Sequence, residues 1–246
     1  MLLRTQNFAK ADIYNMDETS YFYCSVPTKC MSTKSFNGRK QNKKRITIAI
    51  TTNASGTCKP PLLFVGPADR PRCFRGATPE ELEVQYASSK KAWMTRSVFG
   101  SWVQNFNSEM CAEGRHVLLL LDNASSHQYE GELSNTSIAM LPPNTTSFLQ
   151  PQDAGVIRSF KAKISRVKTQ STIQKAEDLL QRVGKENITP LHAKKVFEVD
   201  VLEAMRWAQT AWQEVTQSTI ENCWRHTAIL DEELYELNNS INAIEL

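Results

Sequence analysis

Residues 116–127 read HVLLLLDNASSH, in which Val117 to Leu121 form an unbroken apolar run that ends on a carboxylate, Asp122. A run this short is not a typical helix. It reads as a strand buried on both faces, which points to an α/β sheet covered on each side. Ligands of such sheets gather beyond the carboxyl ends of the strands, so Asp122 stands where a metal or a reacting group is held. The plainer alternative is that Asp122-Asn123 only starts a turn, since both side chains bond their own backbone.

Two further acids favour the first reading. IYNMDET, residues 13–19, is a strand-like segment that also ends in a carboxylate, Asp17, with Ile13, Asn15 and Asp17 alternating onto one face and Glu18 onto the other. LPPNTTSFLQPQDAGVI, residues 141–157, sets Asp153 after a Pro-rich loop at the start of an amphipathic helix, with 30 residues between Asp122 and Asp153. Three acids at two strand ends and one helix start can meet at one edge of a sheet. Such a cluster could hold a divalent ion, since magnesium prefers carboxylate and water ligands.

YNMDET, LLLLDNASSH and LQPQDAGVI resemble the three blocks of the DDE superfamily endonucleases, specifically the pogo branch of the mariner-type transposases, related to the CENP-B-like, jerky and tigger-derived proteins. GRKQNKKRITIAITTNASG, PPLLFVG, PRCFRG, KKAWMT and TIENCWRHTAIL resemble further blocks of that family in the same order. The resemblance runs from Ile13 to Leu230. It implies an α/β, ribonuclease H-like mixed sheet of about five strands flanked by helices, with a helical C-terminal extension. It also implies a metal-dependent DNA endonuclease and strand transferase, the catalytic domain of a pogo-like transposase. Asp17, Asp122 and Asp153 would be both catalytic residues and ligands of Mg2+ (or Mn2+), with Asp17 bridging two ions. Asn123 and His127 would support the site, His127 by steadying its loop and not as a general base. The expected partners are DNA, as transposon ends and target, and further copies of the chain in a homo-oligomer. A domesticated, non-catalytic DNA- or chromatin-binding descendant is the rival reading, and three intact aspartates favour the enzyme.

Three departures from the family pattern bear on activity and not on the fold: Ser125 where Pro is common, Gln152 where Leu is common, and Ala154 where a polar residue is frequent. Gln152 is expected to loosen the packing that aims Asp153.

Composition agrees with a DNA-processing core. The 246 residues include five Trp and ten Phe, enough for a sizeable hydrophobic core. No apolar stretch approaches the roughly 20 residues that a membrane helix needs, so no membrane partner is expected, and MLLRTQNFAKAD is no secretory signal. Six cysteines without a CxxC pair suit a reducing compartment, and the nucleus is the expected location. Cys223 and His226 lack the second pair a zinc site needs. Residues 1–170 carry 22 Lys plus Arg against 13 Asp plus Glu, while residues 171–246 carry 7 against 13. The first portion therefore suits a polyanion.

Two basic groups are candidate DNA contacts. Arg39, Lys40, Lys43, Lys44 and Arg45 lie in GRKQNKKR, which could contact DNA phosphates or act as a nuclear import signal, although a charge run in a loop is usually just solvated. Arg158, Lys161 and Lys163, with Arg166 and Lys168, are expected on one basic face of the helix after Asp153. Residues 1–10 read as a trailing linker, 11–170 as the catalytic core and 171–246 as a helical extension of the same domain. A DNA-binding helix-turn-helix domain is expected ahead of the core, so the chain reads as a truncated or excised portion. YFYCSV and CMSTKSF suggest a hairpin, RITIAITTN a central strand, SIAML another strand, and residues 67–92 an irregular excursion. Thr95 is the expected N-cap of a helix that buries Phe99, Trp102, Val103, Phe106 and Met110.

Overall fold

The computed structural model describes residues 5, 7–25, 42–143 and 145–230. In chain order the strands are β1 (Ile13–Tyr21), β2 (Ile46–Asn53), β3 (Leu63–Gly66), β4 (Gln85–Ser88), β5 (Val117–Leu121) and β6 (Thr136–Met140). The helices are α1 (Arg96–Ala112), α2 (Thr146–Leu149), α3 (Ile157–Val183), α4 (Pro190–Val196), α5 (Val201–Gln213) and α6 (Gln217–His226). One six-stranded sheet has the order β4-β3-β2-β1-β5-β6. β1, β2 and β3 pair antiparallel, while β5 runs parallel to β1 and β6 parallel to β5. This is the mixed, ribonuclease H-like α/β sheet that the resemblance implied, with six strands in place of about five.

The apolar run of β5 is buried at all positions, because the two faces of the sheet are covered separately. Leu118 and Leu120 join Ile13, Ile48, Ile50 and Phe64 in a core closed by Phe160 of α3, Trp212 of α5 and Trp224 of α6. Val117, Leu119 and Leu121 face the other way, with Tyr14 and Met16, onto Phe99, Trp102, Val103, Phe106 and Met110 of α1. Each large side chain so buried contributes about 1.5–3 kcal/mol. The α1 stripe is core, and Thr95 caps the helix by accepting from Val98 N.

Three local expectations change. The strand missed between residues 67 and 92 is β4, whose QYAS sequence is half-buried throughout and, among the described residues, pairs only with β3, in parallel. An edge strand without an apolar alternation leaves no periodic signal. Asp17 is not at the end of its strand, since β1 continues to Tyr21; what ends beside it is β5. The long helix begins at Ile157, after a turn of π-helical winding over Gln152–Val156, and runs unbroken through residue 170 to Val183. CMSTKSF and residues 231–246 lie outside the described residues, as do Arg39 and Lys40. Among the described residues no helix is long and apolar enough to cross a membrane.

Candidate active site

The parallel pairing of β1 with β5 places the first two acids. Ile13 lies opposite Leu118 and Asn15 opposite Leu120; continuing that register by one alternation brings Asp17 alongside Asp122, just past the end of β5. Asp17 is 8% exposed, and its Oδ1 accepts from the Glu18 N–H at 2.7 Å. Burial first, then the neighbouring carboxylates of Asp153 and Glu18, push Asp17 up to about 8, with a smaller contribution from Asp122 and against the Glu18 N–H.

The third acid arrives on the π-helical turn, a winding that recurs at functional sites. Gln152, fully buried beside Asp153, ties this turn to the sheet. Its backbone N–H donates to Asn15 Oδ1 at 3.2 Å, and its Nε2 donates to Asn15 O at 3.0 Å and Thr52 Oγ1 at 2.9 Å. Asn15 Nδ2 in turn donates to Leu120 O at 2.9 Å. The expectation that Gln152 loosens this region is corrected: its amide bonds β1, β2 and the turn together, although its Oε1 is buried without a partner. From the other side, Gly155 lets α6 approach, since a Cβ there would meet Cys223 Sγ at 2.9 Å. Asp153 is raised above its ordinary value by partial burial, against the neighbouring Asp17 and Lys161 and with a contribution from Asp122, and it is itself one of the carboxylates that raise Asp17.

His127 closes the site from the α1 side. It sits in a 3-10 turn, Ser125–His127, with no exposed surface and with its ring 5.2 Å from that of Phe99. Its Nδ1 lies 2.6 Å from Asp122 Oδ1, and its Nε2 lies 2.9 Å from Glu18 Oε1. Burial pulls the imidazole down, but the hydrogen bonds to Asp122 and Glu18 outweigh it and push His127 up to about 10. The same bond, against partial burial and aided by the Ala124 N–H at 3.0 Å, holds Asp122 below its ordinary value. Asn123 Nδ2 donates to Leu141 O and so fastens the start of the loop to the end of β6. Glu18 alternates onto the opposite face from Asp17, and that is the α1 face, on which His127 packs against Phe99. Strand alternation carries no signal for such a contact.

The basic residues do not form one face. Lys161 is close enough to act on Asp153, and Lys168 donates to Ser25 O at 2.5 Å. Lys163 faces Lys59, and Arg166 pairs with Glu214, on the other flank of α3. Positions 161 and 163 are separated by two residues, about 200° around a helix. Arg158, Lys43 and Lys44 are exposed. Arg45 lies over the ring of Trp93 at 5.1 Å and donates to Ser20 Oγ at 3.5 Å, three residues beyond Asp17 on β1.

The donor set fits a hard cation. Asp17, Asp122 and Asp153 supply oxygen only, and the crowding that drives Asp17 to retain a proton is what a bound cation relieves. Among the described residues no three His, Cys, Asp or Glu side chains form a ready-made cage. Two strands and a helix start thus bring three carboxylates together, with a buried imidazole behind one of them.

A family model described as DDE superfamily endonuclease matches residues 43–224. Tigger transposable element-derived protein 4 of Mus musculus is 29% identical over 214 residues, 85% of this chain and 38% of that protein. ARS-binding protein 1 of Schizosaccharomyces pombe is 30% identical over 230 residues, 89% of this chain and 41% of its own length. The chain therefore spans about two fifths of the relatives it matches. A crystal structure of the Mos1 mariner paired end complex with Mn aligns over 97% of this chain and 58% of that one, at 16% identity and a TM-score of 0.49.

Proposed function

The chain belongs to the DDE superfamily endonucleases, and from that premise we propose that it is the catalytic domain of a pogo-like DNA transposase, a metal-dependent DNA endonuclease and strand transferase that works in the nucleus. The observation that supports this reading is the β1–β5 register, which extended past Asn15–Leu120 sets Asp17 beside Asp122, with Asp153 close enough to raise Asp17.

In this reading Asp17, Asp122 and Asp153 would hold Mg2+ or Mn2+ through their carboxylate oxygens. When bound, the ions neutralise the phosphate and favour both the attacking and the leaving oxygen. The chain's own residues do the positioning. Gln152 and Asn15 fix the turn that carries Asp153, His127 fixes Asp122, and Asn123 secures the loop. Lys161 and Arg45 stand where they can meet backbone phosphates on either side of the acids. His127, with carboxylates at both nitrogens, has no lone pair to take a proton from water. Water as nucleophile gives a nick. A freed 3′-hydroxyl in the same position gives strand transfer.

A second reading, a DNA-binding protein that no longer cuts, is favoured by the 30% identical relative named ARS-binding protein 1. Conversion of supercoiled plasmid to nicked circles in Mg2+ or Mn2+ separates the two. The parent nicks and Asp122→Asn does not if the catalytic reading is right. Equal nicking by both removes Asp122 from the site, and DNA binding without nicking by a folded parent supports the second reading.

A further inference from the structure

Glu18 has no part in the three-aspartate set, yet it is locked to it. His127 has no exposed surface, and its two ring nitrogens meet carboxylate oxygens, Asp122 Oδ1 at 2.6 Å and Glu18 Oε1 at 2.9 Å. With a carboxylate oxygen within hydrogen-bond distance of each nitrogen, the ring cannot turn without breaking both contacts. Packing against Phe99 at 5.2 Å limits the ring further. Among the described residues Asp122 Oδ1 otherwise receives only a backbone N–H, that of Ala124 at 3.0 Å, from the loop whose placement is in question. Two consecutive residues of β1 thus serve the site from opposite faces of the sheet, Asp17 directly and Glu18 through His127.

We propose that Glu18 is a positioning residue that acts through His127 to fix the Asp122 carboxylate for the cation. The inference rests on the three-aspartate reading above. The physical reason is general: carboxylate ligands aim correctly when their outer partners hold them, and loss of such a partner weakens metal binding about 10–100-fold. A mere loop staple would affect folding and overall rate, and leave the metal dependence alone.

The test is direct Mn2+ binding, read from the electron paramagnetic resonance signal of free Mn2+, on the parent, Asp122→Asn, Glu18→Ala, Glu18→Gln and Glu18→Asp, with thermal unfolding alongside. Glu18→Gln keeps an oxygen that accepts from Nε2 and stays within about threefold of the parent. Glu18→Ala loses about tenfold or more in Mn2+ affinity. Glu18→Asp keeps the charge, falls one methylene short of the ring, and weakens binding likewise. In nicking assays the half-saturating Mn2+ concentration rises for Ala and Asp, while the rate at saturating Mn2+ stays near that of the parent. Parent-like Mn2+ affinity in Glu18→Ala or Glu18→Asp overturns the proposal, as does a Gln variant as weak as Ala. If Glu18→Ala does not fold, the comparison of Asp with Gln decides. A parent that binds no Mn2+, or an Asp122→Asn variant that binds it equally well, defeats the three-aspartate reading and this inference with it; an intact Asp122 dependence without a Glu18 effect defeats the inference alone.

Discussion

Gln152 is hydrogen-bonded twice to Asn15: through its backbone N–H to the side-chain oxygen at 3.2 Å, and through its side-chain Nε2 to the backbone oxygen at 3.0 Å. Each residue is next or next-but-one in sequence to a site aspartate, so this pair sets the distance between the first acid and the third. Both are fully buried, where polar groups without partners are costly.

Gln152→Ala removes a donor from Asn15 O and from Thr52 Oγ1. It is expected to cost roughly 2–3 kcal/mol, seen as a lower urea midpoint at an unchanged slope. Gln152→Leu should cost less, because it fills the space and removes the orphaned Oε1. A loss below about 0.5 kcal/mol in the Ala variant would show that the amide does not anchor the turn.

Asp17 links stability to pH. Its folded-state pKa is raised from 3.8 to about 8, so the folded protein binds more protons than the unfolded chain in that window. The group costs no stability at pH values below its unfolded pKa, and the cost grows as pH rises toward the folded value. Asp17→Asn should therefore raise the Tm of the metal-free protein at pH 7 by about 4–8 °C, on the order of 2 kcal/mol, and by little at pH 4. Mn2+ should stabilise the parent and not the variant. A metal-free Tm that falls on Asp17→Asn at pH 7 would contradict the crowded-carboxylate account.

Lys161 and Lys163 should differ. Lys161→Ala, on the Asp153 side of α3, is expected to weaken DNA binding and to reduce the salt slope by about 1. Lys163→Ala, beside Lys59 on the other flank, should leave the slope unchanged. Fluorescence anisotropy with duplex DNA across a salt series reads both; equal effects would place DNA on both flanks.

Lys59 caps the end of α5 from a distant loop. Its Nζ donates to Trp212 O at 3.0 Å and Val215 O at 2.7 Å, and lies 5.3 Å from the Trp212 ring. Lys59→Met keeps most of the stem and removes the cation from the helix C-terminus. It should cost roughly 1–2 kcal/mol without changing nicking rate per folded molecule. An unchanged denaturation midpoint would mean that water replaces the ammonium at no cost.

Much of the site was legible because its signals are local. VLLLL followed by Asp122 announces a strand buried on both faces with an acid at its end, and burial on two faces forces every position to be apolar whatever the rest of the chain does. ITIAITTN, the Thr95 cap and the α1 stripe are legible for the same reason, since period and capping are set within one element. β4 was not, because QYAS is half-buried and owes its strand conformation to β3.

The sequence by itself determined the α/β class, the strands and helices with a strong period or cap of their own, and the three aspartates that the family blocks mark. Only the tertiary structure decided how those acids are held. The β1–β5 register, the Gln152–Asn15 docking, the contact of His127 with Glu18 and the division of the α3 lysines all depend on contacts between residues distant in sequence. A pattern along one element fixes which face a side chain occupies. Which partner waits on that face is set by the packing of other elements, and periodicity carries no record of it.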